Sequence, residues 1–124
     1  MKVLIVSGSR KAGREHVQTI RDALREVDAS CLIHGDAAGV DNIAADHAIS
    51  RGWIVIPMPA QWERHGKRAG MIRNGKMIDI GIAMAACGHS VSWLAFPAVD
   101  SIGTRGFISL ASGVGISGKV IELP

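Results

Sequence analysis

Five short apolar-rich runs, separated by longer amphipathic stretches, are what most restrict the folds open to this chain. They cover Val3 to Val6, Cys31 to Ile33, Trp53 to Ile56, Val91 to Ala95 and Lys119 to Leu123. A strand with one wet face alternates apolar and polar residues. Runs that are apolar on successive positions predict parallel strands covered on both faces. Between them, Val17, Ile20, Leu24 and Val27 recur at helical spacing, with Arg21, Asp22, Arg25 and Glu26 interposed. Ile43, Ala44, His47 and Ala48 predict a second helix ending near Gly52. Met71 to Ala86 predicts a long third one despite Gly75 and Gly81, and Phe107 to Ser112 a fourth, closed by Gly113 and Gly115. This β-α-β-α order predicts an α/β, three-layer Rossmann-like fold. Its sheet is mainly parallel and five-stranded, in the order 3-2-1-4-5, with helices on both faces. At 124 residues the chain reads as one domain, 1–124.

In such a sheet, ligands bind beyond the carboxyl ends of the strands, where the strand order reverses. That crevice would lie between strands 1 and 4, entered by Gly8-Ser9-Arg10 and by Ala98 to Gly106. Gly8 permits a tight turn, Ser9 and the amides after it can receive an anion at a helix start, and Arg10 offers a planar fork. Gly103 and Thr104 precede the fourth helix and form a second candidate anion cradle. The second strand runs into His34-Gly35-Asp36-Ala37-Ala38-Gly39-Val40-Asp41. Asp41 stands where a helix N-cap belongs, and it could equally accept bonds from sugar hydroxyls. His34 reads as a satisfied histidine at a strand end.

The densest charge lies from Pro59 to Met77, which holds Arg64, Lys67, Arg68, Arg73 and Lys76 against the single acid Glu63. Cations concentrated among glycines suit an anionic ligand, whereas a bare basic run is also what a solvated loop looks like. Trp62 could stack on a base or plug the sheet edge. Trp53, Trp93, Met71, Met77 and Met84 read as core. The net charge of +3 is modest for a duplex-DNA binder and favours a small anion.

Cys31 and Cys87 form no metal or redox pair, and five scattered histidines lack ligand spacing, so neither metal nor cofactor is expected. Free thiols, an N-terminus too short for a signal peptide and no apolar run of membrane length point to the cytoplasm.

Taken in order, G-S-R at 8–10, H-G-x-A-x-G-x-D-x-x-A at 34–44, P-A-x-W-x-x-x-G-K-x-A-G-x-x-R-N-x-x-M at 59–77 and G-T-R at 103–105 resemble the small YspA-like, cpYpsA-related branch of the SLOG superfamily. That superfamily also holds DprA-type DNA-processing proteins and the LOG phosphoribohydrolases. The resemblance implies a Rossmann-like fold that binds a nucleotide-derived small molecule, with Gly8, Ser9, Arg10, Gly35, Asp41, Trp62, Lys67, Arg73, Asn74, Gly103 and Thr104 as the pocket. It also implies a homo-oligomer, and a setting in bacterial or phage conflict where nucleotide signals are sensed or sequestered. LOG-type hydrolases carry a glutamate just after Gly-Thr. Here Arg105-Gly106-Phe107 follows, with no carboxylate to stabilise an oxocarbenium-like charge or activate water. The sequence therefore favours binding without catalysis, for instance of a cyclic-nucleotide or ADP-ribose-type signal. The alternative is a nucleoside 5′-monophosphate phosphoribohydrolase using Asp100, Asp41 or Asp36. A DprA-like single-strand binder is a further alternative. Against it, three tryptophans, two phenylalanines and no tyrosine leave few stacking platforms.

Overall fold

The computed structural model describes residues 1–124. Its elements in chain order are β1 (Lys2–Gly8), α1 (Val17–Arg25), β2 (Cys31–His34), α2 (Val40–Ser50), β3 (Ile54–Pro57), α3 (Trp62–His65), α4 (Ala69–Ala86), β4 (Ser90–Phe96), α5 (Ile102–Gly113) and β5 (Ser117–Val120). All strand pairs are parallel and the sheet order is β3-β2-β1-β4-β5, as the apolar runs require. No helix is long and apolar enough to cross a membrane.

The reason β1 must be apolar throughout is visible in its packing. Leu4 and Val6 join Ile20 and Leu24 of α1 and Val40, Ala44 and Ala48 of α2 in one buried cluster. Val3 and Ile5, pointing the other way, join Met77 and Ile78 of α4 and Phe107 and Ala111 of α5 in another. Successive side chains of a strand face opposite sides, so a strand with helices on both sides has no position left for water. Helices α1 and α2 cover one face, and α4 and α5 the other. The chain therefore changes sides between β1 and β4, and a crevice opens there at the carboxyl ends of the strands.

Several sequence expectations need correction. The last strand is Ser117–Val120, not Lys119 to Leu123, and all four of its residues are exposed at the sheet edge. The backbone nevertheless stays close to β4 beyond it, with the Ile121 and Leu123 amides donating to Ala95 and Pro97. The basic run is not a loop: it forms α3, a 3-10 turn over Gly66–Arg68 and the start of α4. Helix α5 begins at Ile102, so Gly103 and Thr104 lie inside its first turn rather than ahead of it. Helix α1 starts well after Arg10, following a 3-10 turn at Arg14–His16, so Gly8-Ser9-Arg10 does not open a helix. Met71 is 58% exposed, whereas Met77 is buried and Met84 partly so. At about 100° per residue, Met77 and Met84 share a face, but Met71 is turned about 120° from it.

Candidate functional site

A cleft of about 720 Å³ lies at the crevice. That volume is in the range of small-molecule sites. Ten of the eleven residues anticipated from sequence line it: Gly8, Ser9, Arg10, Asp41, Trp62, Lys67, Arg73, Asn74, Gly103 and Thr104. They come from five separate stretches of chain, and a web of hydrogen bonds holds those stretches together.

The loop after β1 is stitched to its neighbours through Ser9. Its amide donates to Phe96 O at the end of β4 (3.0 Å), and its carbonyl accepts from the Val40 amide (3.1 Å). Its Oγ accepts from the Lys11 amide, which sets the turn that follows. Such closeness requires Gly39: with φ at 78° it occupies the left-handed region, and a Cβ there would collide with the Ser9 carbonyl. Gly39, not Asp41, is also the N-cap of α2.

Asp41, one turn position further in, is freed for a different task. It is only 4% exposed. Its Oδ2 accepts from the Gly35 amide (3.0 Å) and the Ala37 amide (3.3 Å), tying down the β2–α2 loop. Its Oδ1 is buried with no partner. Burial pushes this carboxyl up from 3.8 to about 6, against the opposing pull of the two amides and of the Arg73 and Arg10 guanidiniums. The resemblance placed Asp41 and Arg73 in one pocket, but the burial that raises the carboxyl and its closeness to the guanidiniums arise only when these distant segments meet.

Arg73 is the counterpart. It projects from α4, with Nε donating to Asn74 Oδ1 (2.9 Å) and Nη1 to Gly35 O. Asn74 in turn donates through Nδ2 to Gly103 O (3.2 Å), linking α4 to the start of α5. Burial holds the Arg73 pKa below its usual value; the charge of Asp41 opposes this shift and that of Arg10 adds to it. Gly35 does not line the main cleft. It contributes by lacking a side chain, since a Cβ there would overlap the Arg73 guanidinium.

Arg10 lies over the Trp62 ring, 4.8 Å from its centroid, in a cation–π stack that fixes the guanidinium at the cleft wall. Trp62 is 46% exposed and does not plug the sheet edge. Gly103 and Thr104, in the first turn of α5, line the cleft, and their amides have no acceptor within the helix.

Asp100, Ser101 and Ile102, from the segment expected to enter the crevice, also line the cleft, as do Lys11, Met71 and Leu110, which were not anticipated there. Lys11 Nζ and Asp100 Oδ2 pair at 2.7 Å on the surface, which raises the lysine pKa and lowers that of the aspartate. The adjacency of Lys11 to Arg10 was the one available signal for it. His34 is buried and satisfied, accepting from the Asp36 amide at Nδ1 (2.9 Å), and burial depresses its pKa.

Fold and site together define a doubly wound α/β protein with a cationic cleft at the point where its strand order reverses. More particularly, the chain belongs to the YspA, cpYpsA-related SLOG family, whose model matches residues 1–65. It is similar to the Gene 61 protein of Mycobacterium phage D29, with 34% identity over 126 aligned positions that take in 94% of this chain and 93% of that protein. No solved structure matches it.

Proposed function

We propose that the cleft binds a nucleotide-derived, phosphorylated small molecule without cleaving it, as a sensor or sequestering protein in a phage or bacterial conflict setting. The observation that carries this reading is the convergence of Arg10, Lys67 and Arg73 on one cleft at the strand-order reversal, with Asp41 as the one buried counter-charge. The Arg10 charge disfavours the charged form of Arg73, and an anion placed between the two guanidiniums offsets that repulsion. The free amides of Gly103 and Thr104 can hold further phosphate oxygens.

Asp41 supports binding over hydrolysis. A general base must reach the water it activates. Oδ2 is engaged by two amides and Oδ1 is sealed from solvent. Its role in this reading is that of a buried counter-charge, which favours the charged form of Arg73. Of the other carboxylates, Asp100 is paired with Lys11, and Asp36 does not line this cleft.

Isothermal titration against nucleoside mono- and diphosphates, followed by chromatography of the recovered ligand, tests the reading. At least one nucleotide should bind and return intact, and Arg73→Ala should weaken it about tenfold or more, the worth of a charge-assisted bond. Failure of the whole panel to bind would refute the proposal. Release of free base would replace it with the phosphoribohydrolase reading.

A further inference from the structure

A second cavity of about 330 Å³ adjoins the cleft. The β2–α2 loop forms one wall, with Gly35, Asp36, Ala37 and Ala38, and the connection after β3 forms the other, with Pro59 and Ala60. It shares Arg10, Ala37, Trp62 and Arg73 with the main cleft, so both guanidiniums stand at the junction of the two spaces. Building on the nucleotide-binding reading above, we propose that this compartment receives the far sugar of a pyrophosphate-linked nucleotide, whose diphosphate crosses the junction between Arg10 and Arg73.

The placement of the cations argues for a bridging phosphate. A terminal phosphate held at Arg10 and Arg73 would end there and leave the smaller space empty, whereas a diphosphate esterified on both sides presents a group to each compartment. The smaller space has under half the volume of the main one, and its chemistry suits hydroxyls rather than a base. Its aromatic residue, Trp62, already has Arg10 stacked on it, and the remaining walls are small side chains and backbone. Its carboxylate belongs to Asp36, which is exposed and accepts readily from neighbouring hydroxyls. Asp36 is also the one non-glycine residue with positive φ, at 54°. That backbone is kept in place by the hydrogen bond its amide donates to His34 Nδ1, and such conformations gather at ligand sites.

The test compares matched pairs by titration: ADP with ADP-ribose, GDP with GDP-mannose, and UDP with UDP-glucose. For at least one pair the sugar ester should bind about tenfold tighter, although the free diphosphate carries more charge. Ala60→Leu fills the compartment, and Asp36→Asn removes the charge while tolerating the left-handed backbone. In folded variants, confirmed by circular dichroism, both should erode that preference and leave the affinity of the diphosphate unchanged. Equal affinity within every pair, or a preference that survives both substitutions, would overturn this inference while leaving nucleotide binding intact. Absence of binding by all six compounds would overturn it together with the reading on which it rests.

Discussion

Replacing Asp41 by asparagine probes the electrostatic balance of the cleft directly. In the folded protein the Asp41 carboxyl is raised from 3.8 to about 6, first of all by burial. The folded state thus holds this proton more tightly than the unfolded chain does. The stabilisation linked to it is fully present below about pH 3.8 and is lost as pH rises through about 6. At about 1.36 kcal/mol per unit, the full span is about 3 kcal/mol, of which about 2 kcal/mol develops between pH 7 and pH 4.5. Burial depresses the pKa values of His34 and His47, which gives an opposite slope as pH falls below their ordinary range. These contributions are common to both proteins and cancel in the difference. Urea denaturation of wild type and Asp41→Asn across this range should therefore show the wild type gaining about 2 kcal/mol on the variant as pH falls from 7 to 4.5. A stability difference independent of pH would mean that Asp41 titrates as an ordinary carboxylate, and the buried counter-charge argued for the cleft would be wrong.

Gly35→Ala should displace the Arg73 guanidinium, costing about 1–3 kcal/mol by thermal or urea denaturation and weakening nucleotide affinity along with it. Retention of full affinity would show that Arg73 is not held in place by the Gly35 backbone. Met77→Ala should destabilise by about 2–5 kcal/mol, while Met71→Ala should lie within about 0.5 kcal/mol of wild type. Equal costs in the two variants would contradict the orientation of α4.

Much of the candidate site was legible because local chemistry announces itself. Gly8-Ser9-Arg10, the Trp62 to Asn74 stretch and Gly103-Thr104 combine small residues, cations and hydroxyls at places where strands give way to helices, and these segments meet in one cleft. Asp41 could be read as a cap or as an acceptor for sugar hydroxyls; the cap is Gly39, and the carboxylate instead ties down the Gly35 and Ala37 amides near Arg73. Gly35 was named as a pocket residue, yet its contribution is the space it leaves.

The sequence by itself determined the layered fold, because a strand buried on both faces has no choice but to be apolar at every position, and that pattern is local. It determined the strand order as well, because short right-handed crossovers leave few arrangements. Only the tertiary structure decided which charges face one another. Arg10 and Arg73 share one buried carboxylate, and two cavities meet at their guanidiniums, through side chains that lie far apart along the chain. Burial and through-space charge set the chemistry of those groups, and neither is written in any local window of sequence.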